Sequence, residues 1–304
     1  MNFYECRKRF MQRCIAMNLT DSTLSSYEYF FNSLERLLKK EDCLEDVDKV
    51  DSAMLRRYFI MISETMNSIT QIGYYRRLKT FFNFLHAEGI IANNPIKNVQ
   101  KPKAAKRIIQ SFDSFEVEKM LDAFEMDTYI GYRNYTIISL LLSTGLRRAE
   151  YLSLDLIDID LRNGFIRVVG KGDKERLVPI GKTLMNILRK FLNKRAEFLK
   201  GKPETMAVFV SKYGRRMSIG ASNSVFRKLR IDLKLEGKRF SAHVWRHTFA
   251  KAFLLNGGDV FTLQELMGHA DVETTKVYVD LTDSDKKQQN EKFNPLDNRR
   301  WRYY

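Results

Sequence analysis

Residues 164–180 read GFIRVVGKGDKERLVPI, and the reading of this run decides the class of fold. Two short β-rich segments, Phe165–Val169 and residues 176–180, flank a loop of glycine and lysine, which is the pattern of a hairpin. Arg176 stands where a P-loop ending in Gly181-Lys182-Thr183 would need a glycine. Gly170-Lys171-Gly172 lacks the third glycine and the following helix of a dinucleotide fingerprint. The loop is therefore neither of these nucleotide cradles. Further along, VFVSK (208–212) predicts one more strand. Most of the remaining pattern has the 3.6-residue period of helices, so the expected class is mainly α with a small β-sheet, an α+β domain.

Before the hairpin, residues 1–92 read as a small helical bundle. In TDSTLSSYEYFFNSLERLLKK (20–40), residues 20–22 supply a cap, and Leu24, Tyr27, Phe31, Leu34 and Leu38 recur at helical spacing. DSAMLRRYFIMISETM (51–66) gives a second helix, and SITQIGYYRRLKTFFNFLHAEG (68–89) a third that stops at Gly89. NNPIKNVQKPKAAKR (93–107) then changes the texture, with two prolines and the cations Lys97, Lys101, Lys103, Lys106 and Arg107. Residues 93–110 read as a basic, solvated linker that also suits a DNA backbone. A second domain spans 111–281. It opens with the capped helix SFDSFEVEKMLDAF (111–124) and the buried helix GYRNYTIISLLLSTGL (131–146), and becomes helical again from about Gly220. Residues 282–304 form a polar, then basic-aromatic tail.

The candidate chemistry lies in this second domain. SAHVWRHTFA (241–250) holds two of the chain's four histidines. A zinc hydrolase would need a glutamate after the first histidine, where Val244 stands, and Arg246 is a poor neighbour for a dication. His243 and Arg246, three apart on a helix, lie about 5–6 Å apart at Cβ and suit adjacent oxygens of one phosphate. His247 reads as a packed support residue. In STGLRRAE (143–150), Arg147 and Glu150 share the same spacing, which on its own is equally an ordinary salt bridge. Asp155, Asp158 and Asp160 of DLIDID read as turn caps rather than metal ligands, and no metal site is expected.

Composition narrows the partner. The 304 residues carry 52 Lys+Arg against 37 Asp+Glu, a net charge of +15, which suits a polyanion such as nucleic acid. No apolar run is long enough to cross a bilayer. The N-terminal MNFYECRKRF has no apolar core of a signal peptide, so a cytoplasmic location is expected. Cys6, Cys14 and Cys43 match no zinc spacing and read as reduced, structural thiols.

Taken in order, STGLRRAE, GKGDKERLVP, HVWRHTFA with LLNGGD, and LMGHADVETTKVY (266–278) resemble the motifs of tyrosine site-specific recombinases. That integrase family includes the Xer proteins, Cre and the integrases of phages and conjugative transposons. The resemblance covers about residues 111–280, and the N-terminal bundle resembles the family's SAM-like core-binding domain. It implies a C-shaped clamp of two domains around double-stranded DNA with inverted-repeat core sites. It also implies a homotetramer on two duplexes, monomeric or weakly associated when free, and no cofactor. The tail resembles a segment exchanged between protomers.

Carried onto matching positions, the resemblance implies the catalytic set Arg147, Lys171, His243, Arg246, His269 and Tyr278. Tyr278 would attack a phosphodiester to give a 3′-phosphotyrosyl intermediate, a transesterification like that of type IB topoisomerases. Arg147 and Arg246 would face the non-bridging oxygens, and Lys171 would protonate the leaving 5′-oxygen. His243 would assist Tyr278 as base, and His269 would bond a phosphate oxygen. Lys174 shares the Lys171 loop and Arg148 adjoins Arg147, so both stay alternatives. Glu150 is expected to orient Arg147 or His243. Tyr75, Arg76, Arg77 and Lys79, with Tyr74, are expected at the DNA major groove. The sequence leans toward a mobile-element recombinase over a dimer-resolving Xer-type enzyme. A catalytically idle DNA-binding relative and a metal-dependent nuclease are rivals from other classes.

Overall fold

The computed structural model describes residues 1–103, 111–170, 173–235, 240–268 and 292. Contacts divide the chain into two compact units, Met1–Arg107 and Ile108–Tyr304.

The first unit is built from α1 (Phe3–Ala16), α2 (Asp21–Lys40), α3 (Ser52–Ser63) and α4 (Ser68–Ala87). Side-chain caps start three of them: Asn2 accepts from the Glu5 amide, Asp51 from Met54 and Asn67 from Thr70. At Thr20, which precedes α2, the hydroxyl bonds to the side chains of Ser22 and Thr23 instead of a backbone amide. Gly89 follows α4 at a φ of 68°. Phenylalanines fill the core edge to face, with Phe81 centred 5.5 Å from Phe10 and 5.0 Å from Phe31. Cys6, Cys14 and Cys43 are free and buried in this core.

Two features of this unit depart from the sequence reading. The first helix, α1, had no assignment of its own, although Phe3, Cys6, Phe10 and Cys14 mark a buried stripe along it. Residues 95–99, expected within a solvated linker, dock on the bundle. Ile96 and Val99 are buried, the Ser52 hydroxyl donates to the Pro95 carbonyl (2.6 Å), and the Tyr75 hydroxyl donates to that of Val99 (3.2 Å). Two apolar side chains in a basic run are enough to bind it to a core.

The second unit orders α5 (Ser114–Asp122), α6 (Tyr129–Thr144), α7 (Arg148–Ser153), β1 (Ile159–Asp160), β2 (Phe165–Val169), β3 (Glu175–Pro179), α8 (Lys182–Leu199), α9 (Ile219–Asp232), α10 (Ala242–Leu255) and α11 (Val260–Met267). Asp113 and Glu116 form a reciprocal capping box at the start of α5. The apolar α6 is the central element, with α8 and α10 packed against it. The sheet is antiparallel in the order β1-β2-β3, and the hairpin register pairs Ile166 with Val178 and Val168 with Arg176. Ile166, Val168 and Val178 face the core.

The third strand is the tip of the DLIDID run, not residues 208–212 as expected. Among the described residues, the segment 207–212 makes isolated bridges instead, Ala207 with Asp155 and Val210 with Arg216. Its carbonyls are taken by buried arginines: Arg195 Nε donates to Ala207 (2.9 Å) and Arg133 Nη1 to Val210 (2.9 Å). Helix α8 had no counterpart in the sequence reading. Among the described residues, no helix is long and apolar enough to cross a membrane.

Candidate active site

Helix α6 stops at Gly145, which adopts φ 61° and lies against the Phe249 ring. A Cβ there would fall 2.3 Å from that ring, so only glycine fits the turn. The chain reverses through buried Leu146, and Arg147 becomes the N-cap of α7. Glu150, in the first turn of α7 and 3% exposed, accepts from the Arg147 amide (2.7 Å) and from Arg147 Nη1 (2.8 Å). Arg176 reaches the same carboxylate from β3 with both terminal nitrogens, each at 2.9 Å. Burial drives the Glu150 pKa up. Hydrogen bonds from Arg176 and Arg147, with the charge of Arg176, outweigh it and hold the group ionised below the ordinary carboxylate value.

The end of α11 converges on this cluster. A helix terminates with carbonyls that have no partner within the helix and with the negative end of its dipole, and cations satisfy both. Here three arginines from three elements take three successive carbonyls. Arg176 Nε donates to Leu266 (3.1 Å), Arg246 Nη2 to Met267 (2.8 Å) and Arg147 Nη2 to Gly268 (3.0 Å). Arg246 Nη1 also donates to the Gly145 carbonyl (2.6 Å), tying the end of α6 to the end of α11. Among the described residues, three guanidiniums meet one carboxylate, Glu150, at a partly open surface. An oxyanion fits that balance.

Arg246 and His247 are buried on α10 at 1% and 2% exposed, whereas His243 is exposed. Arg246 therefore supplies a fixed charge from beneath, and His243 is the residue of that helix that faces outward. The imidazole next to His243 is His247: the two Nε2 atoms are 3.3 Å apart and the rings meet edge to face at 4.7 Å. His243 is exposed overall, yet the surrounding protein still desolvates part of the ring. That desolvation first, and then the Arg246 charge, lower its pKa and favour the neutral ring. Neutral imidazole is the form that takes up a proton.

The hairpin loop opens beside this cluster. Gly170 N donates to the Lys174 carbonyl (2.8 Å), and Lys174 is exposed. A Cβ on Gly170 would lie 3.6 Å from Arg176 Nη1 and 3.8 Å from Glu150 Oε1. Lys171, His269 and Tyr278 lie outside the described residues, as do Lys106, Arg107 and the tail apart from Lys292. The DLIDID carboxylates are engaged elsewhere: Asp155 with Arg216, Asp158 with Arg167, and Asp160 with the amides of Arg162 and Asn163. Among the described residues no three potential metal ligands cluster.

The description "Phage integrase family" matches residues 110–285, and "Phage integrase SAM-like domain" matches residues 2–104. The chain belongs to the tyrosine recombinase family. Tyrosine recombinase XerD of Oceanobacillus iheyensis is 32% identical over 286 residues, covering 92% of this chain and 95% of that protein. Tyrosine recombinase XerC of Alcanivorax borkumensis is 37% identical over 205 residues, 67% of this chain and 66% of that one. In fold, the recombinase is similar to XerH bound to palindromic difH in a post-cleavage complex (TM-score 0.74, 23% identity, 95% and 87% of the chains). It is equally similar to the Tn1549 transposon integrase in complex with transposon right end DNA (TM-score 0.74, 19% identity, 96% and 99%).

In this recombinase the structure brings together Arg147, Glu150, His243, Arg246 and His247. Of the residues expected at DNA, Arg76, Lys79, Lys101 and Lys103 are exposed. Tyr75 and Arg77 are half-buried and also make contacts within the first unit, Tyr75 bonding to Val99 and Arg77 to Ser26 while lying over the Tyr74 ring. Sequence reasoning missed Arg176, which it weighed only as a residue that breaks a P-loop. The hairpin itself held the signal. Positions 176 and 178 share a strand face, so the register that buries Val178 turns an arginine inward, where it needs an acidic partner.

Proposed function

We propose that this recombinase cleaves and rejoins duplex DNA through a 3′-phosphotyrosyl intermediate on Tyr278. Arg147 and Arg246 supply positive charge at the reacting phosphate, Lys171 protonates the leaving 5′-oxygen, and His243 and His269 complete the set. The tyrosine needs this help, because a phenol with a pKa of about 10 is a weak nucleophile at neutral pH. Preorganised donors facing the pentavalent transition state lower the barrier most. The observation that carries the reading is the grip of Arg147 and Arg246 on successive carbonyls at the end of α11, immediately before the His269–Tyr278 motif. The chemistry uses no metal or other cofactor, the partner is double-stranded DNA with inverted-repeat core sites, and the working assembly is a homotetramer on two duplexes. Mobility of a genetic element is the role the sequence favours. The XerD likeness along 92% of the chain supports dimer resolution as the second reading.

The test is a pool of nicked duplexes with a randomised centre, incubated with the protein in EDTA and denatured in SDS. Wild type is expected to give a covalent protein–DNA adduct whose recovered sequences define a site, and Tyr278→Phe to give none. A wild type without adduct, or an adduct that persists in Tyr278→Phe, overturns the mechanism. The position of the recovered site in the source genome, at the ends of an element or in the chromosome away from one, separates the two roles.

A further inference from the structure

We infer that Arg176 is a positioning residue for strand cleavage, holding in one register the hairpin loop, the Glu150–Arg147 pair and the end of α11. The inference rests on the recombinase reading above. It starts from the strand: the side chain of Arg176 is 14% exposed and points inward, a position only a strong partner justifies. The partner is the carboxylate of Glu150, held by two parallel bonds of 2.9 Å. The remaining Nε–H donates to the Leu266 carbonyl. Gly268 lies flat on the guanidinium, since a Cβ there would come within 3.1 Å of Arg176 Cζ, Nε and Nη1.

One planar group thus touches three segments that the sequence keeps apart. Glu150 is fixed under Arg147, whose second terminal nitrogen bonds to Gly268. The loop that carries Lys171 begins at Gly170, where an added Cβ would be in van der Waals contact with the same guanidinium and carboxylate. The chain that leads to His269 and Tyr278 leaves from the carbonyls that Arg176 and Arg147 hold. Among the described residues, Arg176 bonds to Glu150 and to the end of α11. It sets where the segments that lead to Lys171, His269 and Tyr278 begin. Its charge has a second effect: Glu150 bonded to Arg147 alone would cancel that arginine's field at the phosphate, and Arg176 offsets the carboxylate. Lysine cannot substitute, because a single ammonium does not span a carboxylate with two parallel bonds and reach Leu266 as well.

The test compares wild type, Arg176→Lys and Gly268→Ala on the duplex recovered above, in EDTA. Gly268→Ala disturbs the guanidinium from outside while leaving its charge. DNA affinity is read by gel shift and adduct formation at saturating protein in a single turnover, both well below each variant's melting temperature. Both variants are expected to bind DNA as wild type does and to form adduct more slowly, by about 100-fold for Arg176→Lys, the scale of a small misplacement of reacting groups. A residue that serves only stability would lower the melting temperature and leave the saturated rate of folded protein unchanged. Gly268→Ala also strains the left-handed turn at φ 62°, so if Arg176→Lys does not fold, Arg176→Gln, read by the same assays, decides. Variants that cleave as fast as a cleaving wild type overturn the role of Arg176 alone; a wild type that forms no adduct overturns the recombinase reading and this role with it.

Discussion

His243 is a group of the described site whose protonation state matters near neutral pH, with the Nε2 of His247 3.3 Å from its own. Its pKa is lowered by burial first and the Arg246 charge second, from an ordinary value of 6.5. Above that value the ring is neutral in folded and unfolded chains alike and makes no difference to stability. As pH falls through 6.5, the unfolded chain takes up a proton that the folded ring resists. Stability is lost down to the folded pKa and changes no further below it. The same resistance keeps the base available in acid. Adduct formation at subsaturating protein, which reports the free enzyme, is expected to keep its rate below pH 6.5 and to show its acid limb there. An acid limb centred at or above 6.5 would show that His243 is not the base or that its environment does not suppress its charge. The residues around it were legible in sequence to different degrees. Arg147 with Glu150, and His243 with Arg246, each sit one helical turn apart, so local spacing brought them together. The His243–His247 contact was equally local, but a metal was the only reason weighed for pairing them. Arg176 meets Glu150 across 26 positions of sequence, a distance that only the hairpin register closes.

At the scale of elements, the hairpin, α6 and α10 could be read because each is either bounded by turn residues or apolar nearly throughout. Helix α8 escaped for the opposite reason. Between Lys182 and Leu199 cations interrupt the apolar stripe, and Leu184, Leu188 and Phe191 keep the helical spacing with Arg195 a turn further on. That fourth position looks polar, but its guanidinium is buried at 5% and bonds to the carbonyls of Ala207 and Thr205. The helix therefore does two jobs, covering α6 and holding residues 205–207 in an irregular path at the entry to the run 208–212, which resembles a strand in sequence. Leu188 is fully buried at the centre of this contact. Leu188→Ala is expected to destabilise the second unit by about 2–5 kcal/mol, the cost of an aliphatic truncation in a packed core. Chemical denaturation in a Trp301→Phe background, where Trp245 is the remaining indole, measures it by fluorescence, since that indole is buried in the same core against Phe112. A loss under 1 kcal/mol would place α8 outside the cooperative core.

At the scale of the whole molecule, the two units have separate cores, and the chain labels one of them chemically. All three cysteines, Cys6, Cys14 and Cys43, lie in the core of the first unit. Burial pushes the Cys6 thiol up to about 11 and raises Cys14 and Cys43 as well, so at neutral pH each is a protonated thiol out of reach of reagent. Reaction with an aromatic disulfide then requires the first unit to open, whereas Trp245 reports the second. Two cores joined by a basic segment are expected to unfold as two transitions that respond to different mutations. Leu188→Ala should shift the Trp245 transition to lower denaturant and leave the midpoint of thiol labelling where wild type has it. Phe81→Ala, at the ring cluster of the first unit, should do the reverse. Labelling that shifts in step with Trp245 fluorescence in both variants would mean that the units unfold as one. In that case the division of the chain at Arg107 and Ile108 describes its contacts without describing its cooperativity.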